Sequence, residues 1–184
     1  MNNMIVEETI LEGCYILRPK VYNDARGYFI ETFKQNTLNK HLNQDIKFVQ
    51  DNESKSSKGV LRGLHFQKGK FAQAKLVRVI KGIVLDVVVD IRPSSRTFGE
   101  SFSIELSEEN KLQLFIPRGF AHGFLTLEDD TIFAYKCDNY YNKDFESGII
   151  YNDKDLAIDW KFKASSLKLS LRDKGFPSFK NIDL

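Results

Sequence analysis

The sequence predicts an all-β protein, a sandwich or barrel of short strands around one core. Three observations carry that prediction. Short runs rich in Val, Ile, Phe and Tyr recur at regular spacing, separated by tight turns of Gly, Pro, Asn and Asp. Helical spacing shows in one brief stretch only. Fifteen Phe and seven Tyr against two Met favour pleated, half-buried surfaces. At 184 residues the chain is long enough for one well-buried domain and short for two, and without a linker or repeat 1–184 reads as a single unit.

Taken in order, Tyr15–Pro19 reads as a short strand stopped by proline. Asn23–Gly27 is a turn by its Asn, Asp and Gly content, leading into the aromatic segment Tyr28–Phe33. Asn36–Leu42 supports one or two helical turns with Leu38 and Leu42 one turn apart, and His41, opposite that pair, reads as solvated surface. Lys47–Asn52 reads as a strand and Ser54–Gly59 as a flexible surface loop.

Gly59–Gln67 is the most informative stretch. Arg62 and His65 stand among small and apolar residues, where burying a guanidinium and an imidazole costs several kcal/mol, roughly, unless partners or a ligand offset it. In an unbroken strand the two point to opposite faces, so a shared cavity requires a bulge at Gly63. The plain alternative is a core histidine bonded to backbone and an arginine in an ordinary ion pair. Lys75–Ile80 and Ile83–Asp90, around Lys81-Gly82, read as a β-hairpin. On its second strand Asp86, Val88 and Asp90 share a face, each carboxylate a pocket group or half of an ion pair. Ser101–Leu106 alternates strictly, and Leu112–Ile116 is a strand closed by Pro117-Arg118-Gly119. Ala121–Leu127 and Ile132–Cys137 follow, joined by an acidic turn. The last third is less regular and wraps the outside.

A formal net charge of +2, with no basic stripe, gives no footprint for nucleic acid. The first residues lack the layout of a signal peptide and no uncharged apolar stretch approaches a membrane span, so a cytoplasmic protein is expected. Cys14 and Cys137 are isolated and read as free thiols. GxSxG, Walker and dinucleotide GxGxxG patterns are missing, which removes acyl transfer, nucleotide hydrolysis and bound NAD. The three His are far apart in sequence with no H-x-H or H-x-D pair, so no metal is expected. What remains is a set of acids and bases, His65, Tyr135, Lys75, Asp86 and Asp173. It suits moving a proton on a carbon beside a carbonyl: His takes it, a Lys ammonium steadies the enolate oxygen, and a Tyr returns one from the other side. Composition and spacing permit this chemistry without establishing it.

Arg62-Gly63-Leu64-His65-Phe66-Gln67, Lys75-Leu76-Val77-Arg78, Asp86–Arg92, Thr97-Phe98-Gly99, Ile116–Phe124 and Asn139-Tyr140-Tyr141 occur in an order that resembles the dTDP-4-dehydrorhamnose 3,5-epimerase family. The likeness runs over nearly the whole chain and weakens after Lys161. It implies a cupin-like jelly-roll (double-stranded β-helix) barrel with short peripheral helices, a homodimer, no metal or cofactor, and a dTDP-linked 4-keto-6-deoxy sugar inverted at C3 and C5. By resemblance His65 is the base, Asp173 the acid that orients it, Tyr135 the proton donor and Lys75 the neighbour of the C4 oxygen, with Asp86 beside the pocket. Arg26, Glu31, Gln50, Asn52, Arg62, His122, Glu146 and Arg172 match substrate-contacting positions, and Tyr141 the aromatic that stacks on thymine. Arg172 stands where lysine is common and Tyr151 where tryptophan is common. The alternatives are a relative that epimerises C3 alone or shifts the ketone between C3 and C4, a non-catalytic sugar-nucleotide binder, and a metal-dependent enzyme of the same fold.

Overall fold

Segments that alternate apolar and polar residues bury one face each, and two sheets can hide those faces by packing together. The computed structural model describes residues 4–184. The chain runs β1 (Met4–Glu8), β2 (Tyr15–Pro19), β3 (Val21–Asp24), β4 (Gly27–Ile30), α1 (Gln35–Leu42), β5 (Gln50–Ser56), β6 (Leu61–Gln67) and β7 (Lys75–Lys81). It continues through β8 (Ile83–Asp90), β9 (Ser101–Ser107), β10 (Gln113–Ile116), β11 (Phe120–Thr126), β12 (Thr131–Cys137), β13 (Glu146–Gly148) and α2 (Leu171–Lys174). One sheet has the order β1-β2-β10-β7-β12-β5, the other β13-β6-β11-β8-β9, and β3-β4 is a separate hairpin. This is the jelly-roll arrangement that the sequence led us to expect.

Between the sheets lie Val77, Val79, Val84, Val88, Leu106, Leu114, Phe124 and Phe133. The outer face of the second sheet is covered by the irregular last segment, with Ile149, Leu156 and Trp160 packed on Leu85, Val87 and Val89. Strand β8 is therefore buried on both faces, which explains its nearly continuous apolar run. On the outer face of the first sheet, α1 buries Leu38 and Leu42 beside Leu17, Leu76 and Phe115. Each such leucine contributes about 1.5–3 kcal/mol, enough to hold a helix too short to stand alone.

Three sequence expectations fail here for identifiable reasons. The runs around Lys81-Gly82 are not a hairpin: β7 pairs with β10 and β12, β8 with β11 and β9. Gly82, at φ +80°, turns the chain from one sheet to the other, and its N–H donates to Glu108 Oε1 at 2.8 Å. Two β-branched runs flanking a glycine look alike whether they pair or part. Ser54–Ser56 is not loop but the end of β5, paired with β12 through Ser56↔Thr131. Its inward face, Gln50, Asn52 and Ser54, is polar because it lines a cavity. His41 is half-buried rather than solvated, its Nε2 enclosed without a partner. No helix among the described residues is long and apolar enough to cross a membrane.

Candidate active site

Period-two alternation carries the inward residues of five strands into one space. Gln50, Asn52 and Ser54 come from β5, and Phe133, Tyr135 and Cys137 from β12, with Tyr135 opposite Asn52 in the register. Lys75 enters from β7, His122 and Phe124 from β11, and Arg62 and His65 from β6. Tyr141, Glu146 and Arg172 complete the wall of a cavity of about 190 Å³.

Arg62 and His65 reach this cavity together because the β6–β11 pairing slips by one residue: His122 faces His65, but Phe124 faces Arg62. Gly63 makes the slip, with φ +126°, and its peptide to Leu64 is cis. A side chain there would meet the His122 carbonyl oxygen at 2.8 Å, so β6 and β11 approach too closely for any Cβ. This is the bulge that a shared cavity requires.

The imidazoles of two imidazole–carboxylate pairs stand on these neighbouring strands. His65 Nε2 lies 2.7 Å from Asp173 Oδ1. With Nε2 donating, Nδ1 is left as the basic nitrogen. Burial pushes the Asp173 carboxyl up, but hydrogen bonds and charge from His65, with Ser170, outweigh it and hold the group below the usual carboxylate range. Ser170 also caps α2, its Oγ accepting from the Asp173 N–H at 3.1 Å. Phe176 meets the His65 ring edge-on, centroids 5.5 Å apart.

The second pair is deeper. His122 Nε2 is 2.9 Å from Asp86 Oδ2, with side-chain exposures of 7% and 0%. Burial lowers the His122 pKa more than Asp86 raises it, so this imidazole is neutral. Asp86 Oδ1 is enclosed without a partner.

Around them the remaining groups hold defined protonation states. Burial raises the Tyr135 phenol, which keeps its proton at neutral pH. Burial lowers Lys75, opposed by Cys137, Asp86 and Glu146, and its Nζ sits 5.9 Å from the Tyr135 ring centre. Burial pushes the Cys137 thiol up to about 11, which makes it a poor nucleophile. At the mouth, Glu146 accepts from the Tyr141 hydroxyl at 2.8 Å and from Arg172 at 2.5 Å. The Tyr141 N–H donates to Gln50 Oε1, and Gln50 Nε2 to Asn52 Oδ1, both at 3.0 Å. Arg62 donates to Ser56 Oγ at 3.2 Å and has no carboxylate partner among the described residues. It is a free guanidinium at a cavity wall, suited to an anion.

Of the residues singled out from the sequence, Arg26 and Glu31 do not join this wall. Arg26 is 90% exposed in the turn between β3 and β4, bound to Asp24, and Glu31 follows the hairpin, 4.0 Å from Lys34. Asp86 and Asp173 stand one residue behind the cavity, each holding a histidine. Sequence reading missed Ser54, Phe133 and Cys137, which continue the inward alternation of Asn52 and Tyr135. It also missed Phe176, for which no local signal exists. Among the described residues no group of three or more His, Cys, Asp or Glu is placed to hold a metal ion. A depression of about 290 Å³ on the outer face of the first sheet, lined by Arg78, Gln113 and Lys136, holds the Lys136–Asp51 ion pair at 2.6 Å and no histidine.

Comparison with known proteins shows the family. The profile of the dTDP-4-dehydrorhamnose 3,5-epimerase family matches residues 8–181. The dTDP-4-dehydrorhamnose 3,5-epimerase of Escherichia coli K12 is 52% identical over 171 residues, 93% of this chain and 92% of that protein. The crystal structure of the enzyme of that name from Elizabethkingia anophelis superposes with a TM-score of 0.94 at 51% identity, covering 97% of this chain and 98% of that one. That of the dTDP-6-deoxy-D-glucose-3,5-epimerase from Legionella pneumophila, in complex with dTDP-4-keto-L-rhamnose, gives a TM-score of 0.94 at 46% identity over 98% and 95% of the two chains. The chain belongs to the dTDP-4-dehydrorhamnose 3,5-epimerase family and is an isomerase that acts at C3 and C5 of a nucleotide-linked sugar.

Proposed function

We propose that the chain converts dTDP-4-dehydro-6-deoxy-D-glucose to dTDP-4-dehydro-L-rhamnose, with His65 removing the proton and Tyr135 returning one to the opposite face. The observation that carries this assignment is that a carboxylate-oriented imidazole and a protonated phenol line the same cavity. C3 and C5 both flank the C4 ketone, so one base and one enolate site serve both carbons if the ring shifts between two seats. His65 Nδ1 takes the hydrogen as H⁺, the electron pair moves onto O4, and Asp173 balances the imidazolium that forms. Lys75, its Nζ 5.9 Å from the Tyr135 ring centre, steadies the enolate oxygen, with neutral His122 on the same cavity wall. The Tyr135 hydroxyl then delivers its proton to carbon.

Arg62 and Arg172 supply guanidinium groups for the diphosphate and Tyr141 a stacking surface for the base, half-exposed at the mouth. Gln50, Asn52 and Glu146 provide polar contacts along the same wall. Arg26 and Glu31 belong to this reading through a homodimer. Their hairpin exposes Tyr28 and Phe29 by 57% and 68%, an apolar surface that a second copy covers while Arg26 and Glu31 enter its cavity. Two unpaired buried thiols, Cys14 and Cys137, suit a cytoplasmic enzyme.

Turnover in D2O with NMR location of the label tests the assignment. Deuterium at both C3 and C5 is expected; label at C3 alone identifies a C3 epimerase, and no label with intact dTDP binding identifies a binding module. For the dimer, mixing the inactive variants Arg26→Ala and His65→Asn is expected to restore activity through mixed sites.

A further inference from the structure

Asp173 is the one member of the acid–base set that no strand carries. It sits in α2, a helix of four residues, so the chain on either side determines where its carboxylate stands. Before it, the Lys168 N–H donates to the Gly59 carbonyl at 2.8 Å and the Leu61 N–H to the Lys168 carbonyl at 3.0 Å, tying the segment to the start of β6. After it, the Ile150 N–H donates to the Pro177 carbonyl at 2.9 Å, and the Phe179 N–H to Asp153 Oδ2 at 2.8 Å.

Asp153 is a divided carboxylate. Oδ1 accepts from the Asp155 and Leu156 N–H groups at 2.9 and 3.0 Å, closing its own turn, and Oδ2 alone reaches the tail. The side chain is buried, with 5% exposure, so its three bonds are made away from competing water. Between the two ties, Phe176 lies on Gly148. A Cβ at Gly148 would stand 2.6 Å from the Phe176 ring and 2.5 Å from the Leu64 carbonyl oxygen, so the ring occupies room that only glycine leaves. The edge of that ring meets the His65 imidazole at 70°.

We propose that Asp153 and Phe176 are positioning residues for the epimerisation: Asp153 tethers the tail through the Phe179 N–H, Phe176 seats it on Gly148 and braces His65, and together they hold Asp173 on His65. Neither touches the cavity; both act through the Asp173–His65 bond. The inference rests on the reading of His65 as the base.

Asp153→Asn is the discriminating variant. The amide oxygen can keep the turn bonds, but its NH2 then opposes the Phe179 N–H and the tether is lost. Small displacements of a catalytic group cost roughly 10- to 100-fold in rate. Asp153→Asn and Phe176→Leu are each expected to lower kcat by about that factor with KM and dTDP affinity within about twofold. In an Asp173→Asn background neither is expected to cost anything further, because the bond they protect is gone. Unchanged kcat in a folded variant overturns the proposal, as does an equal loss in the Asp173→Asn background, which marks a general structural role. If Asp153→Asn does not fold, Phe176→Leu decides on the same criteria. NMR of the His65 ring separates this inference from the assignment of function. Loss of the downfield Nε2–H signal in either variant supports positioning even in a protein that fails to epimerise. Retention of that signal overturns it.

Discussion

His65–Asp173 and His122–Asp86 are the same chemical pair, with the two imidazoles opposite one another on adjacent strands. Their surroundings differ. His65 is 22% exposed and its carboxylate hangs from an irregular tail; His122 is 7% exposed and its carboxylate is fixed in the middle of a buried strand. Burial dominates at His122 and keeps it neutral. At Asp173 partner bonds dominate over burial and keep the carboxylate charged. Both imidazoles line the cavity, and the comparison teaches that depth decides the state of such a pair: the deeper one holds a neutral imidazole, the shallower one a charged carboxylate.

The widest break between the pairs should come from removing each function in turn. His65→Asn is expected to lower kcat by about 10²–10⁴ with dTDP binding retained, as read by steady-state kinetics beside calorimetric titration. The corresponding change at the buried pair should register first as stability. Asp86→Ala leaves the His122 N–H unpaired inside the barrel and should cost about 1–3 kcal/mol, measurable as a lower urea midpoint, whereas Asp173→Ala at the cavity should cost less.

Acid sharpens the comparison further. Asp173 is held below its ordinary value, so its stabilising contribution is complete above the unfolded carboxylate pKa and is lost as pH falls through the folded one. Asp90, fully buried at the end of β8 with bonds from Arg92, Ser95 and Thr97, is held down to about 2 against the opposing effect of burial. By the same sign its contribution, roughly 2 kcal/mol, disappears between about pH 4 and pH 2. Urea midpoints followed through that window should fall steeply in the parent chain and less steeply in Asp90→Asn. At the small end, the exposed Lys161–Asp159 pair should matter little: Lys161→Ala is expected to leave the urea midpoint unchanged, and a clear shift would show that surface pairs rival the buried ones.

Much of this contrast was legible in the sequence. The costly residues of Gly59–Gln67 left two readings open, a shared cavity with a bulge at Gly63 or an ordinary core histidine, and the structure has the first. Strand positions 50, 52 and 54 were only half read, since a strand whose inner face is polar carries no hydrophobic alternation. Which strands pair across Gly82 was not readable: sheet switching depends on partners distant in sequence, while the local pattern is that of a hairpin. The tail was hardest. Asp173, Phe176 and Asp153 are linked by contacts between segments without regular spacing, so only resemblance pointed to the first and nothing to the others.

The central claim is that an imidazole on β6 takes hydrogen from carbon and a phenol on β12 gives one back to the other face. It is tested most directly by comparing solvent deuterium exchange into recovered substrate with product formation in two variants. Tyr135→Phe should still exchange hydrogen at the carbons beside the ketone while inversion falls by orders of magnitude, and His65→Asn should do neither. Exchange that persists in His65→Asn would contradict the account, because some other group would then be the base.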